Sequence, residues 1–208
     1  MKRVLAILIA IGIIIGVLVV LKETSLEVKI ATPQIDSGNH EIYIDELNLP
    51  LIELDTFHPI LTKNKQVCDT LKLIYEPLFD LNEKNKLEPK LATEWYEKDE
   101  LTWIIKLNTK AKWHDGKPFS AEDVIFTYQT ILKNESVYRE NIKNIIAIEK
   151  IDENAIQIRL AERDKKILYQ LIFPIISKHY LQGDLIEKEK ILQAIGTGPY
   201  QYHSISED

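Results

Sequence analysis

Side chains able to do acid–base, nucleophilic or metal chemistry are few and widely spread in this sequence. The single cysteine, Cys68, can form neither an internal disulfide nor a thiolate zinc site. His114 and Asp115 are adjacent, but neighbours in a turn point in different directions and do not make an acid–base pair. The histidines stand too far apart for a local metal motif and leave open only a site assembled from distant segments: His40, His58, His114, His179 and His203. We therefore predict no catalytic residue, no resident metal and no cofactor.

One glycine cluster, Gly196-Thr197-Gly198, begins like a nucleotide-binding loop. Gln201 stands where a third glycine is needed, and Pro199 lacks the N–H that a phosphate would use, so a tight turn before a strand is the better interpretation. The sequence contains no P-loop, no Gly-x-Ser-x-Gly elbow and no His-Glu-x-x-His motif. A formal net charge of −6 disfavours a nucleic-acid partner.

The amino terminus carries a targeting segment. Lys2 and Arg3 precede an uninterrupted apolar run, residues 4–21, which at 1.5 Å per residue approaches the roughly 30 Å hydrocarbon core of a bilayer. No small-x-small cleavage site follows, which favours an uncleaved anchor over a cleaved signal peptide. The basic residues place the amino terminus in the cytoplasm, so the rest lies on the extracellular or periplasmic side. We predict a membrane anchor over 1–23, a stalk over 24–40 and a folded part over 41–208.

The folded part alternates strand-like and helix-like patterns, which predicts an α+β fold with a mixed sheet. Residues 101–107 alternate apolar and polar side chains, which predicts a strand with Trp103 buried. Ser120, with Asp123 three residues on, predicts the start of an amphipathic helix. Residues 146–151 and 155–160 look like an antiparallel hairpin, and the spacing over 65–79 predicts a helix that Pro77 terminates.

The order of segments along the chain is itself informative. The motifs are Leu54-Asp55 followed by Pro59, Ile74-Tyr75-Glu76-Pro77-Leu78-Phe79, Pro89-Lys90-Leu91-Ala92-Thr93-Glu94-Trp95, Leu101-Thr102-Trp103, Lys112-Trp113-His114-Asp115-Gly116-Lys117-Pro118, Ser120-Ala121-Glu122-Asp123-Val124 and Gly196-Thr197-Gly198-Pro199-Tyr200. Their joint order resembles the family 5 extracellular solute-binding proteins, the oligopeptide, dipeptide and nickel receptors of ABC importers. The resemblance covers roughly residues 41–208.

The resemblance implies a fold, and this sequence departs from the family pattern in two respects. It implies a periplasmic-binding-protein-like (type II) first lobe with an inserted subdomain, in a receptor that closes on its ligand about a hinge and delivers it to a membrane permease. Many anchored relatives carry a lipid on a cysteine after the apolar segment, whereas residues 22–25 here contain none. Family members are more than twice as long, and residues 196–200 resemble the return to the first lobe. We therefore expect the second lobe, with its acidic residue for the ligand's amino group, to be absent.

The function that the resemblance implies is the binding of oligopeptides or dipeptides for an ABC transporter, without catalysis. A nickel or metal-chelate receptor and a non-binding remnant or signalling module are the alternatives. The implied partners are a peptide or other small solute, an ABC permease and the missing carboxyl-terminal lobe. In the family's arrangement Glu46, Leu47, Asn48 and Leu49 lie at the mouth between lobes and offer backbone groups to an extended peptide. Trp113 and Asp115 are expected to pack and to form a turn.

Overall fold

The computed structural model describes residues 26–31, 46–51, 53–181 and 193–207. The elements in these ranges are β1 (Leu26–Ala31), β2 (Glu46–Leu51), α1 (Lys65–Leu71), β3 (Phe79–Leu81), β4 (Leu87–Pro89), β5 (Ala92–Asp99), β6 (Thr102–Leu107), α2 (Ala121–Lys133), β7 (Ile145–Asp152), β8 (Ala155–Leu160), α3 (Lys178–Leu181) and β9 (Gln201–Glu207), with 3-10 turns at Arg139–Ile142 and Ile167–Gln170. The predicted anchor, 1–23, lies outside these ranges. No helix within them has the length and apolarity needed to cross a bilayer.

A four-stranded sheet with the order β5-β6-β8-β7 packs against α2. Ile105, Ile156 and Ile158 are fully buried and belong to the same apolar cluster as Val124 and Ile131 of this helix. The helix contributes a buried stripe, and the hydroxyl of Tyr128 donates to the carbonyl of Ile145 over 2.9 Å. The predicted strand over 101–107, the predicted helix after Ser120 and the predicted hairpin are therefore confirmed.

Three predictions about this part were wrong in detail. All strand pairings among the described residues are antiparallel, so the sheet is not mixed. Trp103 is half-buried, whereas Trp113, in a turn, is only 1% exposed. The helix α1 ends at Leu71, well before Pro77. The carbonyls of Leu73 and Ile74 do not continue it but accept from the N–H groups of Tyr200 and Gly198, at 3.1 and 2.8 Å.

A three-stranded sheet with the order β2-β1-β9 joins segments from both ends of the chain. Leu26 opposes Leu51 on one side and Glu207 on the other. Residues 26–31 are thus the central strand of a sheet, which corrects the prediction of a stalk for that part of 24–40. The remainder of the predicted stalk lies outside the described residues.

One buried apolar cluster runs beneath both sheets. Leu51 of β2, Val67 of α1 and Ile105 of β6 all belong to it and are completely buried. Tyr202 of β9 packs against this cluster, with its ring centroid 5.0 Å from that of Phe57. The two sheets and α1 therefore form one folded unit in the described part of the chain.

Candidate ligand-binding site

The four residues predicted to meet the ligand are the first four residues of β2. Leu47 and Leu49 are half-buried, whereas Glu46 and Asn48 are exposed, as the alternation of a strand requires. The structure therefore brings the four together on one strand but divides their side chains between two faces.

The edge of β2 that faces away from β1 meets no other strand among the described residues. Pro50 has no N–H to give to β1, and its carbonyl accepts from Nε2 of Gln66 at 2.7 Å. Both facts indicate that the backbone of Pro50 faces the outer edge. Because backbone groups alternate along a strand, the N–H and carbonyl of Asn48, two residues earlier, face the same edge.

A groove of about 700 Å³ lies between β2 and α1. We call it the edge groove, and its lining residues are Leu49, Pro50, Lys65, Gln66, Asp69, Thr70 and Leu73. Nζ of Lys65 and Oδ2 of Asp69 form an ion pair at its rim, with N–O 2.6 Å. The edge groove thus combines apolar walls with a charged rim. It lies next to Asn48, whose backbone N–H and carbonyl face outward.

A second cavity, of about 570 Å³, shares Lys65 and Asp69 with the edge groove. We call it the far cavity; Cys68, Tyr138 and Asn141 line it together with several lysines. Burial, reinforced by the charge of Asp69, raises the pKa of Tyr138 to about 12, so its hydroxyl stays protonated and can donate a hydrogen bond. Burial also raises the pKa of the Cys68 thiol, which therefore does not supply a reactive thiolate.

The loop before α1 is held by Asp55, which belongs to the Leu54-Asp55 motif. Its Oδ1 accepts from the hydroxyl of Thr62 at 2.7 Å and its Oδ2 from the N–H of Lys63 at 2.8 Å. Burial acts to raise the pKa of this carboxyl, but these hydrogen bonds outweigh it and the pKa is lowered. Asn64 then caps α1 by accepting from the N–H of Gln66 at 2.9 Å. These contacts fix where Lys65 and Gln66 enter the groove.

The aromatic and acidic residues of the central motifs are structural. Nε1 of Trp113 lies 3.4 Å from Oδ2 of Asp123, and the same oxygen accepts from the N–H of Ser120 at 2.9 Å. Oδ1 of Asp123 accepts from the N–H of Lys178 at 2.8 Å. Desolvation raises the pKa of Asp123 even though these donors oppose it. The prediction that Trp113 is a packing residue is confirmed by its burial.

Asp115, Ser177 and His179 come together although they are distant in sequence. Nε2 of His179 donates to Oδ2 of Asp115 at 2.7 Å, and Ser177 Oγ lies 2.9 Å from Nδ1 of the same ring. The set has the composition of a hydrolytic triad, but Ser177 is fully buried and its Oγ also accepts from the N–H of Tyr180. It therefore ties α3 to the turn that contains Asp115. The part of the chain described here holds no cluster of three metal-ligating side chains.

The glycine cluster is also structural. A Cβ on Gly196 would lie 1.8 Å from the carbonyl oxygen of Ile74, and one on Gly198 would lie 2.7 Å from it. Only glycine permits this approach, as expected for a tight turn. Sequence reasoning did not find the edge groove or the far cavity. The signal for both was present in Asn64 and the exposed charges of α1, which mark a helix start at a surface.

The comparisons with known proteins agree with this architecture. The profile described as bacterial extracellular solute-binding proteins, family 5 Middle, matches residues 86–208, more than half of the chain. The chain belongs to family 5 of the bacterial extracellular solute-binding proteins. Proteins of family 5 bind peptides or other small solutes, work with ABC permeases and are not enzymes. They are extracellular, periplasmic or anchored as lipoproteins.

Two solved family 5 structures show the likeness in three dimensions. NikZ of Campylobacter jejuni, in complex with Ni(L-His), superposes with a TM-score of 0.64 at 28% identity, over 73% of this chain and 31% of NikZ. The oligopeptide-binding protein AppA of Bacillus subtilis, in complex with a nonapeptide, gives a TM-score of 0.61 at 27% identity, over 68% of this chain and 30% of AppA.

A Brucella ovis protein named for peptide binding in an ABC transporter is 30% identical over 118 residues, 53% of this chain and 22% of that protein. This chain spans about a fifth of the length of the curated family 5 relatives it matches. The likeness therefore concerns one part of those proteins.

Proposed function

We propose that this chain contributes a ligand-binding surface to a peptide receptor of an ABC importer, and that an extended peptide pairs with the outer edge of β2. The observation that carries the proposal is the outward-facing backbone of Asn48 beside the edge groove. Peptides that add a strand to a sheet take affinity from main-chain hydrogen bonds and specificity from adjacent side-chain pockets. A volume of about 700 Å³ lies within the range of ligand sites.

Within the predicted segment the residues take different roles in this proposal. Asn48 supplies one N–H and one carbonyl to the peptide, whereas Leu47 and Leu49 turn their side chains toward the protein. The carbonyl of Pro50 is already occupied by Gln66. A peptide can therefore pair alongside Asn48 but must diverge from β2 at Pro50, where one of its side chains enters the edge groove. The groove is walled by Leu49, Pro50 and Leu73, which favours an apolar side chain.

We also propose that this surface is one wall of a cleft, because the chain corresponds to about a third of NikZ or AppA. A peptide held by one wall leaves half of its surface in water. If two walls together give micromolar affinity, about −8 kcal/mol, half of that interaction gives roughly millimolar affinity, about −4 kcal/mol. The binding test must therefore reach millimolar peptide.

The test is a titration of the full chain, in a mild detergent, with tripeptides to nonapeptides, followed by amide chemical shifts. Asn48→Pro removes the outward N–H, whereas Asn48→Ala removes only the exposed side chain. We expect shifts on β2 and α1 that Asn48→Pro abolishes and Asn48→Ala preserves. Peptide binding that Asn48→Pro leaves unchanged would place the site elsewhere. Absence of any binding up to about 10 mM would contradict the proposed function.

A nickel chelate is the second candidate, favoured by the superposition on NikZ in its complex with Ni(L-His). The same full-chain sample is titrated with Ni(L-His), with Zn(L-His) as the matched control. Saturable binding of the nickel complex, without a response to peptides, would replace the peptide proposal by this one.

For the segment outside the described residues we propose a single-pass anchor over 1–23, with the amino terminus in the cytoplasm and the folded part on the other side. The basis is the sequence pattern of Lys2, Arg3 and the apolar run after them. The full chain should remain in the membrane fraction through an alkaline wash. A mature protein that begins after residue 21 would contradict the anchor and indicate a cleaved signal peptide.

A further inference from the structure

His114 makes three hydrogen bonds to one short segment more than 80 residues away. Its N–H donates to the carbonyl of Gly196 at 2.9 Å, and its Nδ1 accepts from the N–H of Gly196 at 3.2 Å. Its Nε2 lies 2.9 Å from the carbonyl oxygen of Gly198. We call these contacts the His114 clasp. The segment it holds, residues 193–200, leads directly into β9 and is called the crossover loop.

The crossover loop is fixed on its opposite side as well. The N–H of Gly198 donates to the carbonyl of Ile74 at 2.8 Å, and the N–H of Tyr200 donates to the carbonyl of Leu73 at 3.1 Å. Gly196 has no space for a Cβ, which shows that the crossover loop lies directly against the backbone of Ile74. The loop is thus sandwiched between the end of α1 and the turn at residues 113–117.

The clasp requires one protonation state of the imidazole. A carbonyl oxygen can only accept, so Nε2 must carry a hydrogen, and a backbone N–H can only donate, so Nδ1 must carry a lone pair. These two conditions define the neutral Nε2–H tautomer. In the imidazolium ion Nδ1 also carries a hydrogen and would oppose the N–H of Gly196, which breaks that bond and leaves two donors facing each other.

We propose that His114 is a positioning residue for the sheet β2-β1-β9: as a neutral imidazole it fixes the crossover loop and β9, and its protonation releases them. β9 is hydrogen-bonded to β1, which in turn carries β2. Acidification should therefore loosen the strand to which the peptide is proposed to bind. The effect on the ligand depends on the proposed function, whereas the effect on β9 does not.

The surroundings of the imidazole set the direction of its titration. Burial lowers the pKa of His114, and the carbonyl of Gly198 and the charge of Asp115 only partly oppose this. Asp115 is itself paired with His179 and with Lys117, at 2.7 and 3.7 Å. On the loop side, the carboxyl of Glu76 approaches Thr197, and burial raises its pKa. The clasp is therefore closed at neutral pH and opens on acidification.

The experiment follows the full chain in a mild detergent between pH 7.5 and 4.5. Carbon and nitrogen chemical shifts of labelled histidines report the tautomer and the titration of each ring. Hydrogen exchange, corrected for the intrinsic rate at each pH, reports the protection of β9, with β8 as the internal reference. We expect the Nε2–H tautomer for His114, titrating below pH 6.5, and a loss of β9 protection that follows the same curve while β8 stays protected.

His114→Gln is the main variant, because its amide can still donate to Gly198 but neither accepts as Nδ1 does nor titrates. His203→Gln is the matched control, an exposed histidine on β9 itself. At pH 7.5 we expect His114→Gln to reduce β9 protection roughly fivefold, the effect of one lost hydrogen bond, and to flatten its pH dependence. Glu76→Gln in a parallel sample should preserve that dependence.

Three results would overturn the proposal. The first is an Nδ1–H tautomer at His114 in the wild-type chain, which can be observed even if His114→Gln fails to fold. The second is the same pH dependence of β9 protection in His114→Gln as in wild type. The third is a loss of this pH dependence in Glu76→Gln, which would assign the dependence to the carboxyl of Glu76. If peptides never bind but β9 follows His114, the proposed function fails and the clasp stands.

Discussion

The two sheets of this molecule are built in opposite ways. In the sheet β5-β6-β8-β7, β5 leads into β6 and β7 into β8 through tight turns, with α2 between the two hairpins. In the sheet β2-β1-β9, the central strand at 26–31 pairs with residues 201–207. An apolar face stabilises the sheet β5-β6-β8-β7. The sheet β2-β1-β9 depends in addition on individual polar contacts such as the His114 clasp. We therefore expect the pairing of distant segments to be more sensitive to the loss of one polar contact than the pairing within the hairpins.

The largest expected effect lies in the locally built region. Trp113→Ala removes a fully buried aromatic side chain and leaves the carboxyl of Asp123 without its indole donor. We expect the free energy of unfolding to fall by roughly 3–5 kcal/mol, measured by urea denaturation of the full chain. Trp103→Ala, at a half-buried position of β6, is the comparison and should cost at least about 1 kcal/mol less. Equal losses would show that burial does not decide the cost.

The pH dependence of stability comes next and tests the segment before α1. His58 is 1% exposed, and burial lowers its pKa to about 4 from the usual 6.5. The unfolded chain therefore binds a proton that the folded chain does not between these two values. Stability should be constant above pH 6.5, fall by about 3 kcal/mol as the pH drops to about 4, and then level off.

Urea denaturation at closely spaced pH values measures this dependence. His58→Asn is the control, because Nδ1 of His58 accepts from the N–H of Ile60 and the amide oxygen of asparagine can replace it without titrating. The variant should show a correspondingly smaller fall over the same interval. An unchanged fall would assign the effect to other groups.

A smaller effect is expected from Gly196→Ala, which acts on the distant pairing. The new methyl group would meet the carbonyl oxygen of Ile74 at 1.8 Å, and a backbone oxygen cannot rotate away. We expect a loss of roughly 1–3 kcal/mol and faster hydrogen exchange in β9 than in β8. Gly116→Ala is the matched control: its φ of 84° is strained, but no atom lies within 4 Å of the added carbon. Gly116→Ala should leave the protection of β9 against hydrogen exchange unchanged.

The smallest predicted effect concerns the start of α2. Ser120 precedes the helix and forms a capping box with Asp123, and Ser120→Ala removes the hydroxyl of this cap. Loss of such a cap costs about 1 kcal/mol. Ser120→Asn should recover most of that loss in the same denaturation experiment. A cost that asparagine does not recover would show that the serine acts through packing rather than as a cap.

The sequence could predict the elements whose signals are local. Strict alternation at 101–107 and the Ser120–Asp123 pair at a helix start need no knowledge of distant residues. The end of α1 at Leu71 could not be predicted, because the carbonyls of Leu73 and Ile74 that follow it accept from Tyr200 and Gly198, which are distant in sequence. Residues 26–31 do carry a local strand signal, because Leu26, Val28 and Ile30 alternate with charged side chains. Their place at the centre of a sheet depends on pairing with residues 46–51 and 201–207, which no local pattern encodes.

The candidate site, too, could be predicted only in part. The resemblance to family 5 placed Glu46 to Leu49 near the ligand, and β2 does present an open edge there within the described residues. The direction of each residue on that strand required the contact between Pro50 and Gln66. The edge groove depends on how α1 lies against β2, which no local pattern encodes.

Pro50 has a consequence for the solubility of the protein. An open strand edge is a template on which strands of other molecules can add, and long, regular edges promote aggregation. On β2 the row of donors is interrupted at Pro50, and the adjacent carbonyl is masked by Gln66. A foreign strand can therefore align with only a short stretch of this edge. Pro50 and Gln66, which limit how a peptide lies on β2, thus also hinder aggregation of the protein through the open edge of this strand.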